Sequence, residues 1–251
     1  MEVIHELLGI PKIKIVQDDE LNMFSVDSML VASFVTIKPS VKNIVDFGTG
    51  NAPIPLYLTL RTNAHIYGIE LQDCLYELAK KSVKINMREG QISLICDDLA
   101  NATAHFGLHS IDVVVSNPPF FKANETSHTN PNESKAISRH EIKTNLDVIC
   151  LTASKILKSG GVLALVHRTS RLNDIVVTMK KYHIEPKRIR FVYPNESEMS
   201  NQVLVEGILN AKPDGLKVLK PLYIHPTNAC NKDEILNIYN GVIEKEWFLC
   251  F

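Results

Sequence analysis

No apolar run in this chain approaches the roughly 20 residues that cross a bilayer, so no membrane partner is expected. The opening Met1-Glu2-Val3-Ile4-His5-Glu6 has acidic residues and no basic region, which argues against a secretory leader. The five cysteines (Cys74, Cys96, Cys150, Cys230 and Cys250) form no Cys-x-x-Cys pair. That scatter argues against disulfides and against a zinc site, so no metal is expected and a reducing cytoplasm is the natural compartment. Each cysteine reads instead as a small buried hydrophobe. Internal repeats and low-complexity tracts are missing, and a net charge of −1 names no partner by itself. What the chain does have is 251 residues with 45% hydrophobic content, enough for one large α/β domain with an extension.

The charge is unevenly spread. From residue 155 to 190 there are nine Lys/Arg (Lys155, Lys158, Arg168, Arg171, Lys180, Lys181, Lys187, Arg188 and Arg190) against Asp174 and Glu185. That net +7 leaves −8 for the rest of the chain. Such a segment suits a polyanionic substrate held on one side. It equally suits lysines that only solvate helix surfaces.

Short Val-, Ile- and Leu-rich runs alternate with longer helical patterns. Strands are expected at residues 43–47, 65–71, 92–97, 111–116, 161–167, 187–193 and 203–209. The first five are nearly continuous apolar runs, as strands covered on both faces should be. Helices are expected at 54–62, 73–87, 141–157 and 170–182; in the second, Leu75, Leu78, Ala79, Val83 and Ile85 gather mostly on one face. This alternation predicts a doubly wound, mostly parallel, Rossmann-like sheet of seven strands. Residues 194–202 are too few for a crossover, so the last two strands should form an antiparallel hairpin at the sheet's edge. Residues 1–40 read as an N-terminal extension packing on the core and the ligand cleft, with Ser25 or Asp27 capping a helix that runs to about Ile37. Residues 41–251 read as one catalytic domain, including a C-terminal strand and helix at about 216–251. The polar stretch 120–140, too long for an ordinary connection, reads as a substrate-ordered lid. The apolar end, 247–251, suits either the chain's own core or a second subunit, which would make a homodimer.

Two motifs carry the chemistry. Asn117-Pro118-Pro119-Phe120 follows the buried run 111–116. At that strand end the Asn117 side chain and the Pro118 carbonyl can both accept hydrogen bonds from one planar amino group. Pro119 stiffens the corner, and Phe120 can stack on the ring that carries the amine. Upstream, Asp46-Phe47-Gly48-Thr49-Gly50-Asn51 ends a strand in a glycine turn of the nucleotide-cofactor type. A pyrophosphate turn would usually carry a third glycine where Ala52-Pro53 stands. S-adenosylmethionine has no phosphate, and its ammonium and sulfonium suit Asp46 and the turn's carbonyls. Glu70, twenty positions after Gly50 and followed by Leu71, is placed to accept from both ribose hydroxyls. Asp97, with Asp98 beside it, could accept from the adenine amino group. An exocyclic aromatic amine is a poor nucleophile because its lone pair is delocalised. Two acceptors favour a pyramidal nitrogen and turn that lone pair toward the methyl donor, so no strong base is required.

The chain resembles the bacterial S-adenosylmethionine-dependent methyltransferases that modify N6 of adenine 37 in a valine tRNA. The resemblance rests on Gln17-Asp18, Phe24-Ser25-Val26-Asp27-Ser28 and the glycine turn. It continues through Gly68-Ile69-Glu70-Leu71-Gln72, Asn117-Pro118-Pro119-Phe120-Phe121-Lys122 and Gly160-Gly161-Val162-Leu163. Further on it covers Val166-His167-Arg168, the block from Lys187-Arg188-Ile189-Arg190 to Pro194, and Pro221-Leu222. The tetrapeptide is shared with wider amino-methyltransferase groups, and Ala52-Pro53 departs from the family's usual turn. The resemblance implies S-adenosylmethionine as cofactor, with S-adenosylhomocysteine as product, and tRNA as partner. It also implies phosphate contacts from Arg168, Arg171, Lys187, Arg188 and Arg190, with Lys122 and Arg139 near the lid. A loop adenine is easier to splay into a pocket than a paired one. Alternatives that the residues leave open are guanine-N2 methylation of ribosomal RNA and methylation of a protein glutamine amide. A non-catalytic RNA-binding protein with a vestigial cofactor pocket is the remaining one.

Overall fold

The computed structural model describes residues 1–18, 25–118, 146–227 and 229–242. A hairpin comes first, β1 (Glu2–Leu7) paired antiparallel with β2 (Ile10–Asp18), followed by helix α1 (Val26–Phe34). Strand–helix units follow: β3 (Asn43–Phe47), α2 (Pro53–Leu58), β4 (His65–Glu70), α3 (Asp73–Ile85), β5 (Ile92–Cys96), α4 (Ala102–Phe106) and β6 (Ile111–Ser116). The second half holds α5 (Leu146–Ile156), β7 (Leu157–Arg168), α6 (Leu172–Lys181), β8 (Ile184–Tyr193) and β9 (Gln202–Leu209). It ends with two two-residue strands, β10 (Lys217–Val218) and β11 (Leu222–Tyr223), and helix α7 (Ala229–Tyr239).

The main sheet runs β10-β8-β9-β7-β6-β3-β4-β5, with β11 also on β8. Strands β5, β4, β3, β6 and β7 are mutually parallel. The expected doubly wound sheet with an antiparallel edge hairpin is present. Its antiparallel member, β9, is the inner strand, between β7 and β8, and β8 is edged in turn by the two short strands.

Period-two alternation on apolar strands feeds two separate cores, because successive side chains leave opposite faces. Ile44, Val113 and Val115 pack with Met29, Leu30, Leu56, Tyr57 and Val83 on one face. Val45, Phe47 and Val114 pack with Ile149, Ala153, Ile175 and Met179 on the other. Burial of the Val, Leu, Ile, Met and Phe side chains among these contributes about 1.5–3 kcal/mol each.

The β1–β2 hairpin was not anticipated as strands, although Ile13 and Ile15, buried on either side of exposed Lys14, show the alternation. Its Leu7, Ile10, Ile13 and Ile15 join the first core, and Val16 N donates to Ser82 Oγ on α3 at 2.9 Å. The α1 helix ends at Phe34, short of the expected Ile37. The expected helix at 141–157 is described from Leu146 onward; its start, the lid stretch 120–140 and the end 247–251 lie outside the described residues. Among the described residues no helix is long and apolar enough to cross a membrane.

Candidate active site

Strand β3 is hydrogen-bonded to both β4 and β6, so the chain's direction of winding reverses there. In open α/β sheets the crevice at the carboxyl ends of such strands is where ligands bind. Phe47 and Ser116 are register partners, and Ser116 Oγ donates to Phe47 O at 3.0 Å. Gly48 and Asn117 therefore leave the sheet side by side.

The turn after β3 is strapped to β4: Gly48 N and Thr49 N both donate to Ile69 O at 2.9 Å. Gly48 and Gly50 have φ of +71° and +58°, and a Cβ at either would meet nothing within 4 Å. The backbone here lines open space in a conformation that favours glycine. Ala52, where the resembling family has glycine, is also left-handed with φ 71° and caps α2.

Asp46 is fully buried. Its Oδ2 accepts from Thr49 Oγ1 at 2.7 Å, while Oδ1 is buried with no hydrogen-bond partner among the described residues. Burial pushes its carboxyl up to about 7; the Thr49 bond opposes this and the nearby Glu70 charge adds to it. A buried acceptor with no donor costs free energy unless a ligand supplies one. Glu70, at the end of β4, accepts from Gly50 N at 2.8 Å and Gln72 N at 3.0 Å. Those bonds fix the carboxylate's direction. Leu71 is half-buried in the bend that follows.

Asp97 follows β5, and its N donates to Glu70 O at 3.0 Å, which brings the third acid to the same edge. Its carboxyl accepts from Asn101 Nδ2 at 2.8 Å and Asp98 N at 2.7 Å, and pairs with His105 Nε2 at 2.7 Å. The Asn101 bond, then the His105 and Asp98 bonds, hold it below its usual value. Asp98 caps the following 3-10 turn by accepting from Ala100 N at 3.0 Å. Asn51, in the expected cofactor turn, is buried, and its Nδ2 donates to Val16 O at 2.8 Å, tying the glycine turn to the N-terminal hairpin.

Asn117 is half-buried and Pro118 buried; Pro119, Phe120, Lys122 and Arg139 lie outside the described residues. Asn117 Nδ2 donates to Ser28 Oγ at 3.0 Å and Ser25 Oγ at 3.4 Å. Its Oδ1 makes no hydrogen bond among the described residues. The sequence had marked Ser25 and Ser28 only as a helix start and part of a family block; neither had been assigned to the site. Ser25 does occupy the cap position of α1 but makes no side-chain cap. Beyond Asp27 a cleft of about 180 Å³ opens, lined in part by Gln202, Asn201, Pro194 and His225.

Much of the basic segment is paired with acids. Lys158 pairs with Asp112, Arg171 with Asp174, Lys180 with Glu185, Lys181 with Asp147, Arg188 with Glu206 and Arg190 with Glu234. Arg188 was expected to grip phosphate. Its side chain is only 12% exposed, donates inward to Glu206, Thr36 Oγ1 and Phe34 O, and lies 4.6 Å over the Phe34 ring. Arg190 likewise holds Glu234 with two bonds, at 2.6 and 2.7 Å. Lys187 Nζ donates to the Lys212 and Asp214 carbonyls and sits five residues, roughly 16 Å, below Val192 at the crevice end of β8. Arg168 and Arg171, at the carboxyl end of β7, remain beside the crevice.

The profile of the family described as Methyltransferase small domain matches residues 19–182. A relative from Porphyromonas gingivalis, named tRNA1(Val) (adenine(37)-N6)-methyltransferase, is 27% identical over 201 residues, 78% of each chain. Among solved structures, a predicted O-methyltransferase from Agrobacterium tumefaciens superposes with a TM-score of 0.69 at 21% identity, covering 86% of this chain and 97% of that one. M. jannaschii TYW2 in complex with AdoMet superposes at 0.52 with 14% identity, covering 82% and 84%. These two likenesses carry the fold alone.

Proposed function

The chain belongs to the methyltransferase small domain family, and from that premise we propose that it transfers a methyl group from S-adenosylmethionine to N6 of adenine 37, beside the anticodon of a valine tRNA. One observation carries the reading. Asn117 leaves β6 beside the glycine turn with its nitrogen anchored on Ser28 and Ser25 and its oxygen turned away from them.

The residues of the crevice fit the cofactor. The unpaired, buried Asp46 Oδ1 calls for a donor or cation, which the cofactor's ammonium would provide, and the open space at Gly48 and Gly50 would admit its chain. Glu70, oriented by Gly50 N and Gln72 N, would accept from the ribose hydroxyls. Asp97 would accept from the adenine amino group. S-adenosylmethionine supplies a methyl carbon on a sulfonium, open to in-line displacement.

The protein's own part is to hold the amine. Asn117 Oδ1 and the Pro118 carbonyl would accept its two N–H bonds, favouring a pyramidal nitrogen and stabilising the positive charge that develops on it. Phe120 would stack on the base, worth ~1–3 kcal/mol, and Pro119 would keep the corner rigid. Arg168 and Arg171 are the phosphate contacts that the geometry favours, with Lys122 and Arg139 following the tetrapeptide in the chain. The test is incubation with labelled S-adenosylmethionine and unmodified total RNA, then nucleoside analysis. Label as N6-methyladenosine in tRNA is expected. Label in N2-methylguanosine or in protein would replace the reading, and neither transfer nor cofactor binding would leave an RNA-binding protein with a vestigial pocket.

A further inference from the structure

Among the described residues, the buried side-chain atoms without a hydrogen-bond partner are Gln17 Nε2, Asp46 Oδ1 and Ser110 Oγ. The first is a donor and the second an acceptor, and each costs free energy while it stays unmet. S-adenosylmethionine ends in an amino acid, with a carboxylate beside its ammonium. The crevice side chains already matched to the cofactor, Asp46, Glu70 and Asp97, are acids, and none of them can donate to that carboxylate when ionised. We propose that the Gln17 side-chain amide binds the cofactor's carboxylate, opposite the ammonium site at Asp46. The inference rests on the reading of the crevice as the cofactor site and is independent of which base is methylated.

Two periodicities place Gln17 over that site. Along β3, Ile44 packs in the first core, and Asp46 follows two residues later on the same face. Along β4, Ile66 lies in that core and Glu70 shares its face. The N-terminal hairpin packs on this same core through Ile13 and Ile15 of β2, and Gln17 is the next residue on their side. The direction of β2 is fixed by α3, which starts at the crevice and runs away from it. Lys14 N donates to Asn86 Oδ1 at 2.9 Å, and Val16 N donates to Ser82 Oγ at 2.9 Å, one helical turn closer to the crevice. Val16 O then accepts from Asn51 Nδ2 in the glycine turn. Strand β2 therefore climbs toward the crevice, and Gln17 stands one residue past the tie to the turn. Gln17 is 4% exposed and Asp46 fully buried. Hairpin and sheet thus carry the unmet donor and the unmet acceptor on facing sides of one layer. The hairpin's ties to α3 and to the turn use backbone groups of β2, so its docking does not need the Gln17 amide. A lysine or arginine at this place could pair with Asp46 and occupy both groups. A neutral amide leaves each free for its own half of a zwitterion.

The test is calorimetric and needs no RNA. Three ligands are compared on wild type, Gln17→Met and Gln17→Glu: S-adenosylhomocysteine, its decarboxylated analogue and 5′-methylthioadenosine, which lacks the whole amino-acid end. Gln17→Met should weaken S-adenosylhomocysteine about 10- to 100-fold, the scale of one hydrogen bond to a charged group. Its effect on the other two ligands should stay within about twofold. Gln17→Glu sets an acid against the carboxylate, so it should weaken S-adenosylhomocysteine further and bind the decarboxylated amine at least as well as wild type does. Methionine is close to glutamine in shape and removes a buried donor that has no partner, so the ligand-free Tm of Gln17→Met should not fall. Equal losses on all three ligands would make Gln17 a structural residue and overturn the inference, as would a Gln17→Met affinity for S-adenosylhomocysteine within about twofold of wild type. Wild-type protein that binds none of the three ligands would instead end the cofactor reading, and the inference with it.

Discussion

Replacing Arg188 by methionine separates two roles that the sequence alone could not distinguish. If the side chain held tRNA phosphate, the variant would be stable and less salt-sensitive. The structure predicts the reverse. Glu206 is fully buried on β9, and its carboxylate receives Thr36 N at 2.7 Å, Thr36 Oγ1 at 2.8 Å and Arg188 Nη1 at 3.2 Å. Deleting the guanidinium leaves that charge in the core with two neutral donors. Breaking a buried pair from one side costs about 3–5 kcal/mol. Arg61, whose charge also faces Glu206, keeps part of the compensation, so the loss should fall near the lower end, about 3 kcal/mol. For a chain of this size that is a fall in Tm of roughly 6–12 °C. Urea unfolding followed by circular dichroism measures the stability, and tRNA affinity across a salt series measures the phosphate count. The midpoint should drop while the salt slope stays unchanged. Arg188→Met/Glu206→Gln should recover most of the loss, since the neutral amide oxygen still accepts from Thr36 and no unpaired charge is left in the core. A variant of wild-type stability whose slope falls by about one would refute the reasoning.

Asn117→Ala should abolish turnover and leave cofactor affinity within a few-fold, because its acceptor matters chiefly in the transition state; wild-type turnover would remove Asn117 from the chemistry. Burial raises Asp46 from 3.8 to about 7, so the folded protein keeps that proton over a window in which the unfolded chain has lost it. Stability should therefore fall as pH rises from about 4 to about 7 and level off above. A bound ammonium favours the carboxylate, so below pH 7 cofactor binding should release a proton and weaken by up to about tenfold per pH unit. Calorimetry in two buffers of different ionisation enthalpy counts that proton, and a count of zero at pH 6 would contradict the assignment. Arg168→Ala should weaken tRNA binding and lower the salt slope by about one; an unchanged slope would take it off the phosphate list.

The core strands were legible because burial on both faces leaves no room for polar residues. Residues 43–47 and 111–116 coincide with β3 and β6, and their ends put Asp46 and Asn117 at one edge. The convergence of Glu70 and Asp97 follows from the strand order. The N-terminal hairpin was less legible, since its alternation is short and its burial depends on α3 and the core beneath. The tie from Asn51 Nδ2 to Val16 O was not legible, because its partner lies 35 positions earlier in the chain. Of the tetrapeptide, the described residues include Asn117 and Pro118.

Sequence by itself determined the alternating architecture, the acid at each strand end and the amide beside the glycine turn, because hydrophobic period and turn chemistry act over a few neighbouring residues. Tertiary structure alone decided which cations are spent inside the fold and which hydroxyls meet the Asn117 amide. Arg188 meets Glu206 across adjacent strands, and Gln202 reaches Asp27 across 175 positions. Partners that far apart in the chain are chosen by strand order and register, and a count of charges along the chain contains neither.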